Sequence, residues 1–154
     1  MAYTGHIKPI NKIVAAGTPL VQELKVETAT NMYPGRLVQK GTNDDDIIVA
    51  DSTVGNDIVG WLGYEQTAPV FRPSTPDTIY EADDMAAVLN GGGFIIVACL
   101  AASQTITKGE ALTSAAAGTL TTSAGPDTDI VVAYAEESVT TTGAIADIMV
   151  RSVI

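Results

Sequence analysis

The sequence predicts a mainly β chain: a compact β-sandwich or small β-barrel with an extended N-terminal arm and at most one or two short helices. Three observations predict it. Thr, Val, Ile, Gly and Ala dominate, and no long stretch spaces its apolar residues at the 3.6-residue period of a helix. Short runs rich in β-branched residues recur, each bounded by Gly, Pro, Asn or Asp. The length of 154 residues suits one domain or at most two small ones. The expected division is an arm over residues 1–16 and a single β-rich domain over 17–154.

The elements follow in order. Gly17-Thr18-Pro19 is a turn, and Val21 to Glu27 alternates polar and apolar residues as a half-buried strand does. Tyr33-Pro34-Gly35 is a second turn, because Pro fixes φ and Gly accepts φ > 0. Arg36 to Lys40 is a short strand, and Gly41 to Asp46 is a polar tip. Ile47 to Ala50 and Asp57 to Gly63 are strands. Residues 68–78 carry Pro69, Pro73 and Pro76, which places them in a loop or edge segment. Tyr80 to Leu89 fits either one short helix or a strand. Asn90-Gly91-Gly92-Gly93 is expected as a hairpin turn. Phe94 to Leu100 is continuously apolar, which predicts a strand covered on both faces. Ile106 to Leu112 is a turn into a strand, Ala115 to Gly118 a small-residue loop, and Asp129 to Ala135 and Gly143 to Val153 the last strands.

A faint internal echo runs through this order. Pro34 to Val38 leads, past a polar tip, to Asp57-Ile58-Val59, and Lys108 to Leu112 leads in the same way to Asp129-Ile130-Val131. Residues 33–65 and 106–137 are therefore candidates for an internal duplication. Two copies fall short of an array signal.

Charge narrows the function classes. There are 18 acids against 8 bases, a net charge of −10. Phosphate contact depends on Lys and Arg, so nucleic acid is not expected as a partner. The charge is uneven. Residues 1–40 hold five bases and two acids, whereas residues 41–154 hold three bases and sixteen acids. A basic leader on an acidic body points to a soluble body with a segment able to dock elsewhere. The longest apolar run, Phe94 to Ala102, is too short for a bilayer-spanning helix, which needs about 20 residues. No membrane partner is expected. The opening residues lack a secretion signal, so synthesis in a reducing cytoplasm is expected, with Cys99 as a thiol.

Chemistry finds few candidates. A Ser-His-Asp or Cys-His centre needs a histidine that meets its nucleophile. His6 is the single histidine and lies in the arm, while Cys99 lies mid-strand and reads as a buried structural residue. Zinc sites draw on several Cys or His, which this chain lacks. Asn43 to Asp46 with Asp51 offers oxygen ligands for Ca²⁺, but without the EF-hand spacing, and a solvated loop tip is the preferred reading. Glu136 and Glu137 are adjacent, so on a strand they face opposite sides and cannot serve one substrate together. Trp61 reads as core. The expectation is a protein that is not an enzyme, with no catalytic residues, cofactor or metal.

The order Thr105-Ile106-Thr107-Lys108-Gly109-Glu110-Ala111-Leu112, then Gly118-Thr119-Leu120, then Ile130 to Glu137, then Thr142 to Val150 resembles the head decoration, or capsid cement, proteins of tailed phages, including the lambda type. The resemblance covers about residues 94–154 and, through the echo, 33–65. It implies a β-clip or β-tulip-like core, a homotrimer, and a place on the outer surface of an expanded capsid, where the protein staples neighbouring major capsid subunits. It implies a virion component made in the host cytoplasm. Residues 1–16 fit an arm that adds a strand to a partner's sheet, and Tyr3, His6, Lys8, Lys12 and Ile13 are the candidate capsid-binding residues. The competing readings are a tail or fibre accessory protein and a secreted ligand-binding β module.

Overall fold

The computed structural model describes residues 13–52, 57–63 and 79–154. Among them the strands run β1 (Val14–Ala16), β2 (Leu20–Val26), β3 (Leu37–Lys40), β4 (Asp46–Val49), β5 (Ile58–Leu62), β6 (Met85–Asn90), β7 (Ile95–Leu100), β8 (Thr105–Ile106), β9 (Ala111–Ser114), β10 (Leu120–Thr122), β11 (Ala133–Ala135), β12 (Val139–Thr140) and β13 (Ala146–Ser152). One 3-10 turn, Ala116–Gly118, interrupts them. The mainly β expectation holds.

The strands form two rings. The first is a closed barrel in the order β2-β4-β3-β5-β6. The second half forms a sheet in the order β1-β7-β10-β9-β11-β13, and an added β7–β13 pairing closes five of its strands into a ring. Each ring has one long antiparallel ladder between its first and last strands, β2–β6 and β7–β13. Each also closes through a short parallel contact, Lys25↔Asp46 in the first and Leu120↔Leu100 in the second. In chain order both rings therefore follow the same path. The echo segments fall on β3 to β5 and on β8 to β11, which include strands holding matching places in the two rings. Closure of this kind removes most exposed strand edges.

The rings share a single cluster of buried apolar residues. It runs from Leu24, Val26, Leu37, Ile47 and Trp61 in the first ring to Phe94, Ile96, Leu100, Leu112, Leu120 and Ile148 in the second. Contact is also made by directed bonds. The Trp61 indole donates to Ser152 Oγ at 2.9 Å. Arg36 Nη1 donates to the Ala117 carbonyl at 2.7 Å, Gly118 N–H to the Ala50 carbonyl at 2.7 Å, and Ser114 Oγ to the Asp51 carbonyl at 2.6 Å. The 115–118 loop is thus a wedge against the first ring rather than a solvated connection. Gly118 is required there: its φ is +69°, and a Cβ would lie 2.6 Å from the Leu37 carbonyl oxygen.

Several elements depart from the sequence reading for identifiable reasons. Residues 90–93 do not make a hairpin, since β6 and β7 belong to different rings; the three glycines, all at positive φ, carry the chain across the seam. Tyr80 to Leu89 is no helix; its second half is β6. In β7 the side chains alternate between buried and half-buried, so the continuous apolar run does not mean full cover on both faces. Cys99 is accordingly half-buried, and burial is the main cause that pushes its thiol pKa up. The strand expected over 129–135 is only Ala133–Ala135, because residues 125–129 make a turn with Thr128 and Asp129 N–H groups on the Gly125 carbonyl. The end of the expected arm is part of the body: β1 pairs with β7, and Ile13, 1% exposed, joins the core. The Pro-rich stretch 68–78 lies outside the described residues.

Candidate functional site

The described cations are each engaged within the fold. Lys25 Nζ meets Asp46 Oδ1 at 3.0 Å, and Lys40 Nζ meets Asp44 Oδ1 at 3.3 Å. The Arg36 guanidinium donates to the Ala117 carbonyl and lies over the Tyr33 ring at 5.3 Å. In the second ring Lys108 and Arg151 flank Glu136 at 3.6 and 3.3 Å, and Arg151 lies over the Tyr134 ring. Three of the five bases in residues 1–40 are thus spent within the fold, Lys25 and Lys40 in the first ring and Arg36 across to the second. The basic leader shrinks to Lys8 and Lys12.

The acidic tip is also reorganised. Asp46 is 3% exposed and opens β4 rather than a solvated loop. Its Oδ2 accepts from Asn43 Nδ2 at 2.6 Å and from the Asn43 backbone N–H at 3.4 Å, while its Oδ1 faces the Lys25 ammonium. The bond from Lys25, followed by the one from Asn43, holds the Asp46 carboxyl below its ordinary pKa, and the same contact raises that of Lys25. Glu27 accepts from both the N–H and the hydroxyl of Thr42, each at 2.7 Å, which depresses its pKa. Among the described residues no three His, Cys, Asp or Glu side chains come together in a way that could hold a metal ion.

Glu136 and Glu137 turn to different partners. The first meets Lys108 and Arg151, and the second accepts the Met149 backbone N–H at 2.8 Å. Trp61 is fully buried, and so is Tyr80, whose hydroxyl donates to the Gly63 carbonyl. The polar side chains of Lys25, Arg36, Asp46, Glu136 and Glu137 are thus occupied in holding strands and turns.

What the body offers outward is strand edge and apolar surface. Leu20 is 68% and Val21 41% exposed, and Gln22 and Glu23 beside them are exposed too. Along β2 only Lys25 and Val26 pair with β4, so Leu20 to Glu23 have β6 on one side and, among the described residues, no strand on the other. The corresponding edge of β7 is covered: β1 pairs there, Val14 with Ile96 and Ala16 with Ile95. In the sequence, Val21 to Glu27 has the alternation of a half-buried strand. The period-two pattern does not reveal that the barrel stops short of its first four residues. Of the sequence-predicted capsid-binding residues, Ile13 is buried, with its carbonyl accepting the Val97 N–H at 2.8 Å. Tyr3, His6, Lys8 and Lys12 lie outside the described residues.

Comparison with known proteins meets this geometry. A family model described as the XM1 gp53 minor capsid protein matches residues 2–151. The chain belongs to this family. It is a β-rich structural protein of the phage virion, associated with the capsid. Among solved structures, it shares its fold with the N base of the head fibre gp8.5 of bacteriophage phi29. The TM-score is 0.54 at 16% sequence identity, covering 88% of this chain and 94% of that one. No curated protein matches the chain. Membership in a minor capsid family supports the phage reading made from the second half of the sequence without singling out the lambda-type decoration proteins.

Proposed function

We propose that this minor capsid protein is a cement for the phage head. It binds the outer surface of the expanded shell and staples neighbouring major capsid subunits, as a homotrimer. The observation that carries the reading is the minor capsid family match over residues 2–151. The physical character of the body supports it. The rings are tied to each other by buried apolar contact and by bonds such as Trp61–Ser152, a construction suited to bearing load. The described residues hold sixteen acids and five bases, each of the latter already engaged, so the body is negatively charged and remains soluble at high copy number. A cement needs no titratable centre, and the reading remains that this is not an enzyme.

Particles made without the protein test this. They should package DNA and then rupture at lower temperature or lower ionic strength than complete particles, and adding the purified chain should restore them. Copy number should approach that of the major capsid subunit, with density on the outer face. Particles of unchanged resistance would sink the cement role.

A second reading is favoured by one specific observation, the fold shared with the base of a head fibre. On that reading the chain seats a projecting appendage. A projection extending outward from the body in particle density supports it, and a low compact knob supports cement.

A further inference from the structure

The two rings correspond strand for strand in order and pairing, and among the described residues a position filled by β1 in the second has no strand in the first. The β2–β6 ladder runs from Leu20↔Asn90 to Lys25↔Met85, and the β7–β13 ladder from Ile95↔Arg151 to Leu100↔Ala146. The parallel contact stands at the same far end of both, at Lys25 and at Leu100. Leu20 and Val21 are therefore the first-ring counterparts of Ile95 and Ile96. In the second ring that pair is covered on its outer edge by β1, and Ile96 is fully buried. In the first ring the counterparts are 68% and 41% exposed, and no described strand lies on their edge.

Among the described residues no strand takes up the backbone groups on this edge. The Val26 N–H turns to the β6 side, donating to the Asp84 carbonyl, while the Lys25 N–H turns the other way, to the Asp45 carbonyl. Because bonding direction alternates along a strand, the N–H groups of Val21 and Glu23 point to the open side. An added strand would gain main-chain bonds there, whatever its side chains.

We propose that this slot on β2 receives residues 1–12 of a neighbouring copy, so that the chains join by exchange of their leading segments. This deepens the trimer part of the proposed function and rests on that reading only for its biological setting. Three observations select the occupant. The continuation of the same segment, Ile13 and β1, already fills the matching slot on the second ring of its own chain. Residues 1–12 carry Lys8 and Lys12 and no acid, and the slot presents the exposed Glu23 on a body with a large excess of acids. The third is direction. The segment leaves β1 at its Ile13 end, beside Val97, whereas the chain enters β2 from the opposite end of β1 through Gly17 to Pro19. Twelve residues reach about 40 Å when extended, enough to cross to another molecule. A contact in which the segment of one copy meets β2 of the next is heterologous, and such contacts close into rings when the rotation allows. The leading segment thereby acquires a receptor within the assembly, in place of the capsid strand expected from the sequence.

The full-length chain tests this without any capsid, by sedimentation and by amide hydrogen exchange. The expected result is an oligomer in which the Val21 and Glu23 amides exchange slowly. Val21→Pro removes an N–H that β6 does not use; it should give a monomer whose β7 and β13 amides keep their protection. Glu23→Lys should weaken association at low salt, and combining it with Lys8→Glu and Lys12→Glu should restore it. A monomeric full-length chain overturns the proposal, as does a Val21→Pro variant that keeps the oligomeric mass. Protection of the two amides only on capsids also overturns it and assigns the slot to a capsid strand. None of these outcomes bears on whether particles need the protein for resistance.

Discussion

The indole N–H of Trp61 donates to Ser152 Oγ at 2.9 Å, and the Ser152 hydroxyl in turn donates to the Ile154 carbonyl at 2.6 Å. This relay joins β5 of the first ring to the end of β13 in the second, across a seam where Trp61 is fully buried. A buried indole left without an acceptor incurs the uncompensated desolvation cost of its N–H, about 1–3 kcal/mol. Ser152→Ala should therefore destabilise the free chain by about that amount. Trp61→Phe removes the donor and some volume, and should cost a similar amount or more. The double variant should cost less than the two singles together, measured by denaturant unfolding. Strict additivity would mean that the bond contributes nothing across the seam.

The wedge at residues 115–118 makes a second prediction through two glycines that look alike in sequence. Gly93 and Gly118 both stand at positive φ, +78° and +69°. A Cβ on Gly93 meets nothing within 4 Å, whereas one on Gly118 would press on the Leu37 carbonyl and on Val49 Cγ2 at 2.7 Å. Gly93→Ala should cost only the left-handed backbone penalty, about 1–2 kcal/mol. Gly118→Ala carries that penalty and also pushes the rings apart, so its cost should be clearly larger, visible as a lower thermal midpoint. Equal losses would show that the wedge yields freely.

The Lys25–Asp46 pair sets a pH dependence. The Asp46 carboxyl is held below its ordinary value of 3.8, so its contribution to stability is complete above that pH and is lost as pH falls through the lower folded value. Lys25 is raised above 10.5, so its contribution is complete below that pH and is lost as pH rises through the higher folded value. Stability from this pair should be level between these limits. Asp46→Asn should lower stability across the plateau and flatten the acid limb, followed by unfolding titrations from neutral pH downward. An unchanged acid limb would show that Asp46 is not the group responsible.

Much of this fold was legible because short strands bounded by turn residues carry their own signals. β3, β4, β5 and β13 fall almost where Leu37-Val38, Ile47-Ile48, Ile58-Val59 and Ile148-Met149-Val150 place them. What escaped was set by partners distant in the chain. β1 and β10 are three residues each, and β12 two, too short for any period to show; β1 is held by β7 and β12 by β8, both far away in sequence, and β10 adds to its neighbour β9 a parallel contact with β7. Asp46 sits in a run of three aspartates that reads as a solvated tip, and its pairing with Lys25, more than twenty residues earlier, is not visible from that run. The open edge at Leu20 to Glu23 left no mark, because alternation records how a strand meets its own sheet and not whether a neighbour is missing.

Glu136 and Glu137 yield a final prediction, since two adjacent acids hold the fold by different physics. Glu136 lies between the Lys108 and Arg151 side chains, themselves about half exposed, so its contribution is Coulombic and reachable by salt. Glu137 is buried and bonds the Met149 backbone N–H, a short-range contact that added ions do not reach. Glu136→Gln should cost about 1 kcal/mol at low ionic strength. That difference from the native chain should shrink in about 1 M salt, where the screening length falls to about 3 Å. Glu137→Ala leaves the Met149 N–H in the interior without this acceptor and should cost about 1–3 kcal/mol, with little change on adding salt. Paired denaturation curves at low and high salt separate the two. If the Glu136→Gln deficit persists in high salt, the carboxylate is acting as a local hydrogen-bond acceptor and not as the charge between two cations.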